Sequence, residues 1–359
     1  MSDAATRRQA LAALTDGPGV TPVNPPILLP ANPYFDLAGE DFGRRLLLTN
    51  GSDGTEYCLR PDFTLPITTA YLESESAGLP EAFGYLGPIF RQRVTGPTEF
   101  DQAGLELFAQ KDPDAALDRV LVFALSALET YGIKPTVRLG SVALFEALLA
   151  AADMPDVWRS RIRHRFGHPE AMARLLERLA DPHTATAGAL PWKREDLLGV
   201  VADQMVNAGL SLTGSRSPEE IAERYFEKQT LAAARVPSET ITLLQNYLSV
   251  AADARTALIS IEGLAEDQGI DISEPLARLM THFETLEAAE NVGEISFEGG
   301  FSPRLDYYTG IVFEMKSHNG TLVSGGEYDR LLERLGAARR ITASGCSVWV
   351  DRLEAETRL

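Results

Sequence analysis

The clearest hydrophobic periodicity in the chain follows Asp112. Leu117, Val120, Leu121, Ala124, Leu125 and Leu128 recur at helical spacing on one face, Pro113 takes the first helical position and Gly132 ends the run, which predicts an amphipathic helix. Other segments alternate with a period of two. FGYLGPIFRQR, rising to Arg93, and EFDQAGLELFAQ, returning from Glu99, read as a strand pair joined by VTGPT. LLLTN (Leu46 to Asn50) and EYCLR (Glu56 to Arg60) read as a hairpin around Gly51, Ser52, Asp53 and Gly54. Thr64 to Ser74 is predicted helical, and the proline-rich stretch from Val20 to Asp36 is predicted to run extended, pairing only at Pro-free positions.

PTVRLGS, Pro135 to Ser141, is a further strand. After it, residues 142–290 carry helical periodicity only, with a capping box at Ser217 and Glu220 and breaks at Pro155, Pro182, Pro191, Gly214 and Pro237. The Ala/Thr-rich run from His183 to Leu190 is the expected mobile loop. Strand character returns at Glu294 to Phe301 and at Tyr307 to Met315, and His318, Asn319 and Gly320 turn the chain into Thr321 to Val323. Tyr328 to Leu335 reads as helix and Ser344 to Val350 as the last strand. An α+β fold is therefore expected: a largely antiparallel sheet flanked by helices, built from residues 1–141 and 291–359, with 142–290 as a helical insertion.

Charge narrows the partners. The 359 residues carry 33 Lys and Arg against 51 Asp and Glu, a net charge of −18. Nucleic-acid binding relies on basic side chains that displace phosphate counterions, so no nucleic-acid partner is expected. The N-terminus lacks the apolar run of a signal peptide, and no window approaches the ~18–20 apolar residues of a membrane-spanning helix, so a soluble, cytoplasmic protein without membrane contact is expected. Cys58 and Cys346 are expected as small, unpaired core residues.

Several polar residues stand where chemistry can use them. Tyr307 and Tyr308, adjacent on a strand, would point to opposite faces, so one can line a pocket while the other packs. In SGGEYD, Ser324 to Asp329, Gly325 and Gly326 allow close backbone approach to a ligand or an ordinary turn. Asp62 and Thr64 in LRPDFT follow a strand and open a helix; a carboxylate and a hydroxyl there suit an ammonium group, and an Asp also suits a plain helix start. Arg91, on a mostly apolar strand, offers a planar fork for a carboxylate or phosphate, and Gln102 and Glu106, four apart on an alternating strand, share a face. Together they suit a zwitterion; a solvated strand face is the plainer alternative. His164 and His168 are interrupted by Gly167 and Pro169, unlike a zinc helix, and no phosphate loop or dinucleotide fingerprint occurs, so neither metal nor cofactor is expected.

Taken in order, LRPDFT, GPIFRQR, EFDQAGLELF, RLDYYTGIVFE, SGGEYD and ASGCSVWVDRLE resemble the core of the class II histidyl-tRNA synthetase family. The resemblance runs from near residue 20 to residue 356. It implies a class II synthetase-like antiparallel sheet and a histidine pocket at Asp62, Thr64, Arg91, Gln102, Glu106, Tyr307 and Tyr308, with Gly325 and Tyr328 beside it. It also implies an ATP site at Arg91, Phe100 and Arg352, in which Phe100 matches the aromatic that stacks on adenine.

The departures change the implied function. The synthetase pattern reads R-G-L-D-Y-Y; here Pro303 takes the place of the catalytic arginine and Arg304 that of the glycine. Arg93 stands where the synthetases carry an acid, and seven residues follow Arg352, where an anticodon-binding domain would need ~50. No catalytic residue is expected, and the ATP site would be vestigial. A synthetase-like body of this kind resembles the regulatory subunits of ATP phosphoribosyltransferase, as does Asp62 in LRPD. That family joins a short catalytic subunit, is needed for its activity and helps it respond to histidine in the first step of histidine biosynthesis. The resemblance implies a non-catalytic, homodimeric component of a hetero-oligomer with histidine as ligand. The alternative is a truncated synthetase-like enzyme that activates histidine with ATP.

Overall fold

The computed structural model describes residues 3–37, 42–94, 96–180, 194–208, 217–303 and 307–357. The expected loop at His183 to Leu190, the breaks at Pro182, Pro191 and Gly214, and Arg304 lie outside them. The chain divides into two compact units, Met1–Leu148 with Leu248–Leu359, and Leu149–Tyr247.

The first unit holds the strands: β1 (Thr21–Pro22), β2 (Leu28–Pro30), β3 (Leu48–Asn50), β4 (Glu56–Leu59), β5 (Glu81–Phe90), β6 (Glu99–Phe108), β7 (Thr136–Ser141), β8 (Ala251–Asp253), β9 (Ile295–Glu298), β10 (Ile311–Ser317), β11 (Gly320–Glu327) and β12 (Ala343–Trp349). Nine form one sheet in the order β1-β5-β6-β12-β11-β10-β7-β9-β8, and β2-β4-β3 form a second. Among the described residues, only β1–β5 and β7–β9 pair in parallel. The predicted strand pair is β5–β6, in register from Glu81 opposite Phe108 to Phe90 opposite Glu99. The predicted hairpin is β3–β4, with Gly54 at φ +82° in its turn.

Helix Pro113–Glu129 forms as its periodicity predicts. Asp112 Oδ1 accepts from the amides of Asp114 and Ala115 at 3.1 Å, and Gly132 leaves at φ +68°. Its apolar face, Leu117 through Leu128, is buried against β6, β11 and β12. Each such leucine or valine contributes roughly 1.5–3 kcal/mol by leaving water. Cys58 and Cys346 are free and buried.

Four details differ from the sequence reading. Pro22 and Pro30 themselves lie in strands, at their ends, where a proline carbonyl can still accept. Residues Asn32–Leu37 form a short helix rather than an extended run. A three-residue strand, β8, interrupts the stretch read as helix only; three residues carry no periodicity. Helices Ala254–Glu266 and Ser273–Glu287 belong to the sheet-bearing unit, while the second unit spans Leu149–Tyr247. Periodicity marks a helix but not the layer it packs on.

Within the second unit Trp158, Ile162, Met172, Leu175 and Leu176 are buried, and the Trp158 indole donates to the Ala234 carbonyl at 2.6 Å. The capping box closes reciprocally: the Glu220 amide donates to Ser217 Oγ at 3.2 Å and the Ser217 amide to Glu220 Oε2 at 3.1 Å. Among the described residues, no helix is long and apolar enough to cross a membrane.

Candidate functional site

Gln102, Gly104 and Glu106 alternate along β6 and therefore face one side of the large sheet. Their ladder partners put Tyr85 and Gly87 of β5 and Gly345, Ser347 and Trp349 of β12 on that side too. Two glycines make the room. A Cβ on Gly345 would overlap Glu106 Oε2, and one on Gly104 would overlap the Tyr85 hydroxyl, which instead reaches Ser347 Oγ at 2.9 Å.

Glu106 is 1% exposed. Thr64 Oγ1 donates to its Oε1 at 2.6 Å, and the Tyr328 hydroxyl donates to Oε2. Burial raises the carboxyl pKa to about 8; the two hydrogen bonds oppose the rise and the charge of Asp62 adds to it. At neutral pH the group is largely protonated, and a cation placed beside it would ionise it.

Asp62 and Arg91 face each other electrically. Asp62 Oδ1 accepts from the Leu65 amide at 3.2 Å, so it also serves the start of helix Thr64–Glu73. Burial raises its pKa and the Arg91 charge opposes this; burial likewise lowers that of Arg91 while Asp62 resists. Arg91 lies just past the end of β5, not on the strand that its apolar run suggests, with Nε donating to the Pro61 carbonyl and the guanidinium 5.0 Å from the Phe42 ring centroid.

Tyr307 and Tyr308 do not alternate. The Ile311 amide donates to Glu327 Oε2 at 2.8 Å and the Thr309 amide to the Glu327 carbonyl at 2.9 Å, with Gly310 pressed against that carboxylate, and the chain joins the ladder only from Ile311. Ahead of that point the two rings lie 5.3 Å apart, tilted by 41°, and Tyr307 meets Tyr328 edge-on at 6.0 Å. Burial raises the pKa of all three hydroxyls, leaving them neutral hydrogen-bond donors. Tyr307 and Tyr308 both lie within electrostatic reach of Glu106, and Tyr307 also of Asp62 and Arg91.

Gln102 is 1% exposed, and neither its amide nitrogen nor its oxygen has a hydrogen-bond partner. An unmet buried amide costs about 1–3 kcal/mol. Most buried polar side-chain atoms in proteins have a partner, so this amide calls for an explanation. The structure thus gathers Asp62, Thr64, Arg91, Gln102, Glu106, Tyr307, Tyr308 and Tyr328 on one side of the sheet. It does not bring Gly325 there: Gly325 pairs with Cys346 and Phe313 on the opposite face, where a Cβ would stand 2.6 Å from Cys346 Cβ and 2.8 Å from Phe313 Cζ. Gly326, paired with Gly345, has the pocket-side register. Phe100 and Arg352 stand apart from the cluster's hydrogen bonds, Arg352 donating Nη1 to the Thr321 carbonyl. Among the described residues, no group of three or more His, Cys, Asp or Glu side chains is arranged to hold a metal ion.

The histidyl-tRNA synthetase family model matches residues 2–197 and 221–353. An ATP phosphoribosyltransferase regulatory subunit of Rhizobium rhizogenes is 38% identical over 344 residues, 92% of each chain, and one of Sinorhizobium medicae is 37% identical over 350 residues, again 92% of each. The chain belongs to the ATP phosphoribosyltransferase regulatory subunit family. Solved structures share the fold: an ATP phosphoribosyltransferase regulatory subunit/histidyl-tRNA synthetase from Bacillus halodurans has a TM-score of 0.67 at 22% identity, covering 98% of this chain and 78% of the other. A histidyl-tRNA synthetase from Nostoc sp. PCC 7120 has a TM-score of 0.61 at 12% identity, covering 98% and 70%. The α+β sheet of this regulatory-subunit family member is thus the class II synthetase-like one.

Within this regulatory-subunit fold, sequence reasoning overlooked Tyr85, Gly345 and Ser347. The signal was there: glycines at 104 and 345 inside strands mark places where another group crosses close to the backbone.

Proposed function

We propose that the chain is the non-catalytic regulatory subunit of ATP phosphoribosyltransferase, required by a short catalytic subunit and carrying the histidine response of the first step of histidine biosynthesis. The observation that carries this reading is the buried, unpartnered amide of Gln102 on the same face of the sheet as the buried carboxyl of Glu106, in a chain 38% identical to a curated regulatory subunit over nearly its whole length. Histidine brings the complementary groups. Asp62 and Glu106 take up its positive charge, Arg91 faces its carboxylate, and the Gln102 amide, with Thr64, Tyr307, Tyr308 and Tyr328, completes the polar lining. No residue is assigned a catalytic role, and Pro303 has no N–H or side-chain donor to offer a reacting phosphate.

In this reading the chain is a soluble cytoplasmic homodimer within a hetero-oligomer, and its charge of −18 favours protein partners over nucleic acid. Histidine regulates because it binds one assembly conformation better than the other; equal affinity for both would shift nothing. The test is reconstitution with the short catalytic subunit of the same organism: co-purification and restored transferase activity are expected. Histidine-dependent ATP–pyrophosphate exchange by this chain alone would overturn the reading and favour an enzyme that activates histidine.

A further inference from the structure

The ring of Phe100 is covered by its own chain. Arg93, in the connection between β5 and β6, lays its guanidinium over that ring with Cζ 3.1 Å from the centroid, and Nη1 reaches Asp351 Oδ2 at 2.7 Å. Both side chains are mostly buried, and Phe100 is 5% exposed. The planar cation occupies the space that a stacked base would take.

The surroundings make this placement specific. Arg91 and Arg352 lie close enough that the Arg93 charge disfavours theirs, and Arg45 also acts on Arg91, so Arg93 joins a cluster of guanidinium groups in a protein with net charge −18. Asp351 is what holds it there. The tie is incomplete: Arg93 Nη2 and Asp351 Oδ1 are both buried without a partner, so the pair is fixed by one hydrogen bond and the ring contact. Without Arg93, an aromatic face flanked by Arg91 and Arg352 would remain, which is the chemistry of a purine-nucleotide site.

We propose that Arg93, anchored by Asp351, is a built-in plug on the Phe100 ring that keeps purine nucleotides off this chain, so that the neighbouring cluster takes its ligand with no nucleotide alongside. The exclusion depends on one side chain and one counter-charge, and either should release it.

The test is equilibrium binding of AMP and of Mg-ATP to the full-length chain, followed by calorimetry and ligand-observed NMR, for the wild type, Arg93→Ala, Asp351→Asn and the double variant Arg93→Ala/Phe100→Ala. The wild type should show no saturable binding at millimolar nucleotide. Arg93→Ala should bind roughly tenfold to a hundredfold tighter, the range one base–aromatic stack supplies. Asp351→Asn should gain in the same direction, and the gain should vanish in the double variant. Wild-type binding as tight as that of Arg93→Ala overturns the plug, as does a folded Arg93→Ala with no gain. If Arg93→Ala does not fold, Asp351→Asn decides, because it frees the guanidinium without removing it.

Discussion

Gly345 lies directly opposite Glu106 on the β6–β12 ladder, and no carbon fits between them. A Cβ there would overlap Glu106 Oε2 and stand 2.7 Å from the Leu105 carbonyl, so the backbone has nowhere to retreat. Gly345→Ala should therefore cost about 1–3 kcal/mol of stability and displace the carboxylate. Thermal melts with and without histidine check both: a lower melting temperature and a smaller ligand-induced rise are expected.

The buried carboxyl of Glu106 also sets a pH dependence. It holds its proton to about pH 8 in the folded chain and to near its ordinary 4.5 once unfolded. Between those values the folded state binds more protons, so its stability falls as pH rises through the window and levels off above it. Glu106→Gln should remove that part of the slope, read as the difference between wild type and variant across the window. Histidine binding at neutral pH should release a proton, visible as a dependence of binding enthalpy on the buffer's ionisation enthalpy; no dependence would argue against ionisation of Glu106 by the ligand.

Gln102 separates stability from binding. Replacing its unpartnered amide by leucine removes an unmet polar group, so Gln102→Leu should stabilise the ligand-free chain by about 1 kcal/mol. The same change should abolish the rise in melting temperature that the proposed function predicts on adding histidine. A variant that is destabilised yet binds histidine normally would show that the amide is structural.

Arg278 reaches the cluster from behind. Its Nη2 meets Glu327 Oε1 at 2.6 Å and its Nη1 meets Oε2 at 3.2 Å, and Glu327 holds the Ile311 amide just past Tyr307 and Tyr308. Arg278→Met leaves a nearly buried carboxylate without its counter-charge and should cost about 2–3 kcal/mol, less than for a fully buried pair because Arg278 keeps some exposure. Faster amide exchange at Ile311 is the local sign to measure.

The limits of the sequence reading have physical causes. Helix Pro113–Glu129 was legible because its cap, first-turn proline, apolar stripe and terminal glycine agree, and β5–β6 because alternation and a short connection coincide. The side of the sheet shared by Gln102 and Glu106 followed from the same alternation. The Tyr307–Tyr308 arrangement did not, since Glu327, some twenty positions downstream, holds the backbone off the ladder until Ile311. Arg278 went unnoticed because its partners are 164 and 49 positions away and its helix carries no local mark of them. Arg93 stood out only as a missing acid; that it covers Phe100 depends on Asp351, 258 positions distant.

Histidine inhibition of the reconstituted transferase, measured with wild-type chain and with Gln102→Leu, tests the regulatory reading most directly. Both should assemble with the catalytic subunit and support its activity in the absence of histidine, and the variant should need at least tenfold more histidine for the same inhibition. Assembly and activity with an unchanged inhibition curve would place the regulatory ligand elsewhere and contradict the assignment of this cluster.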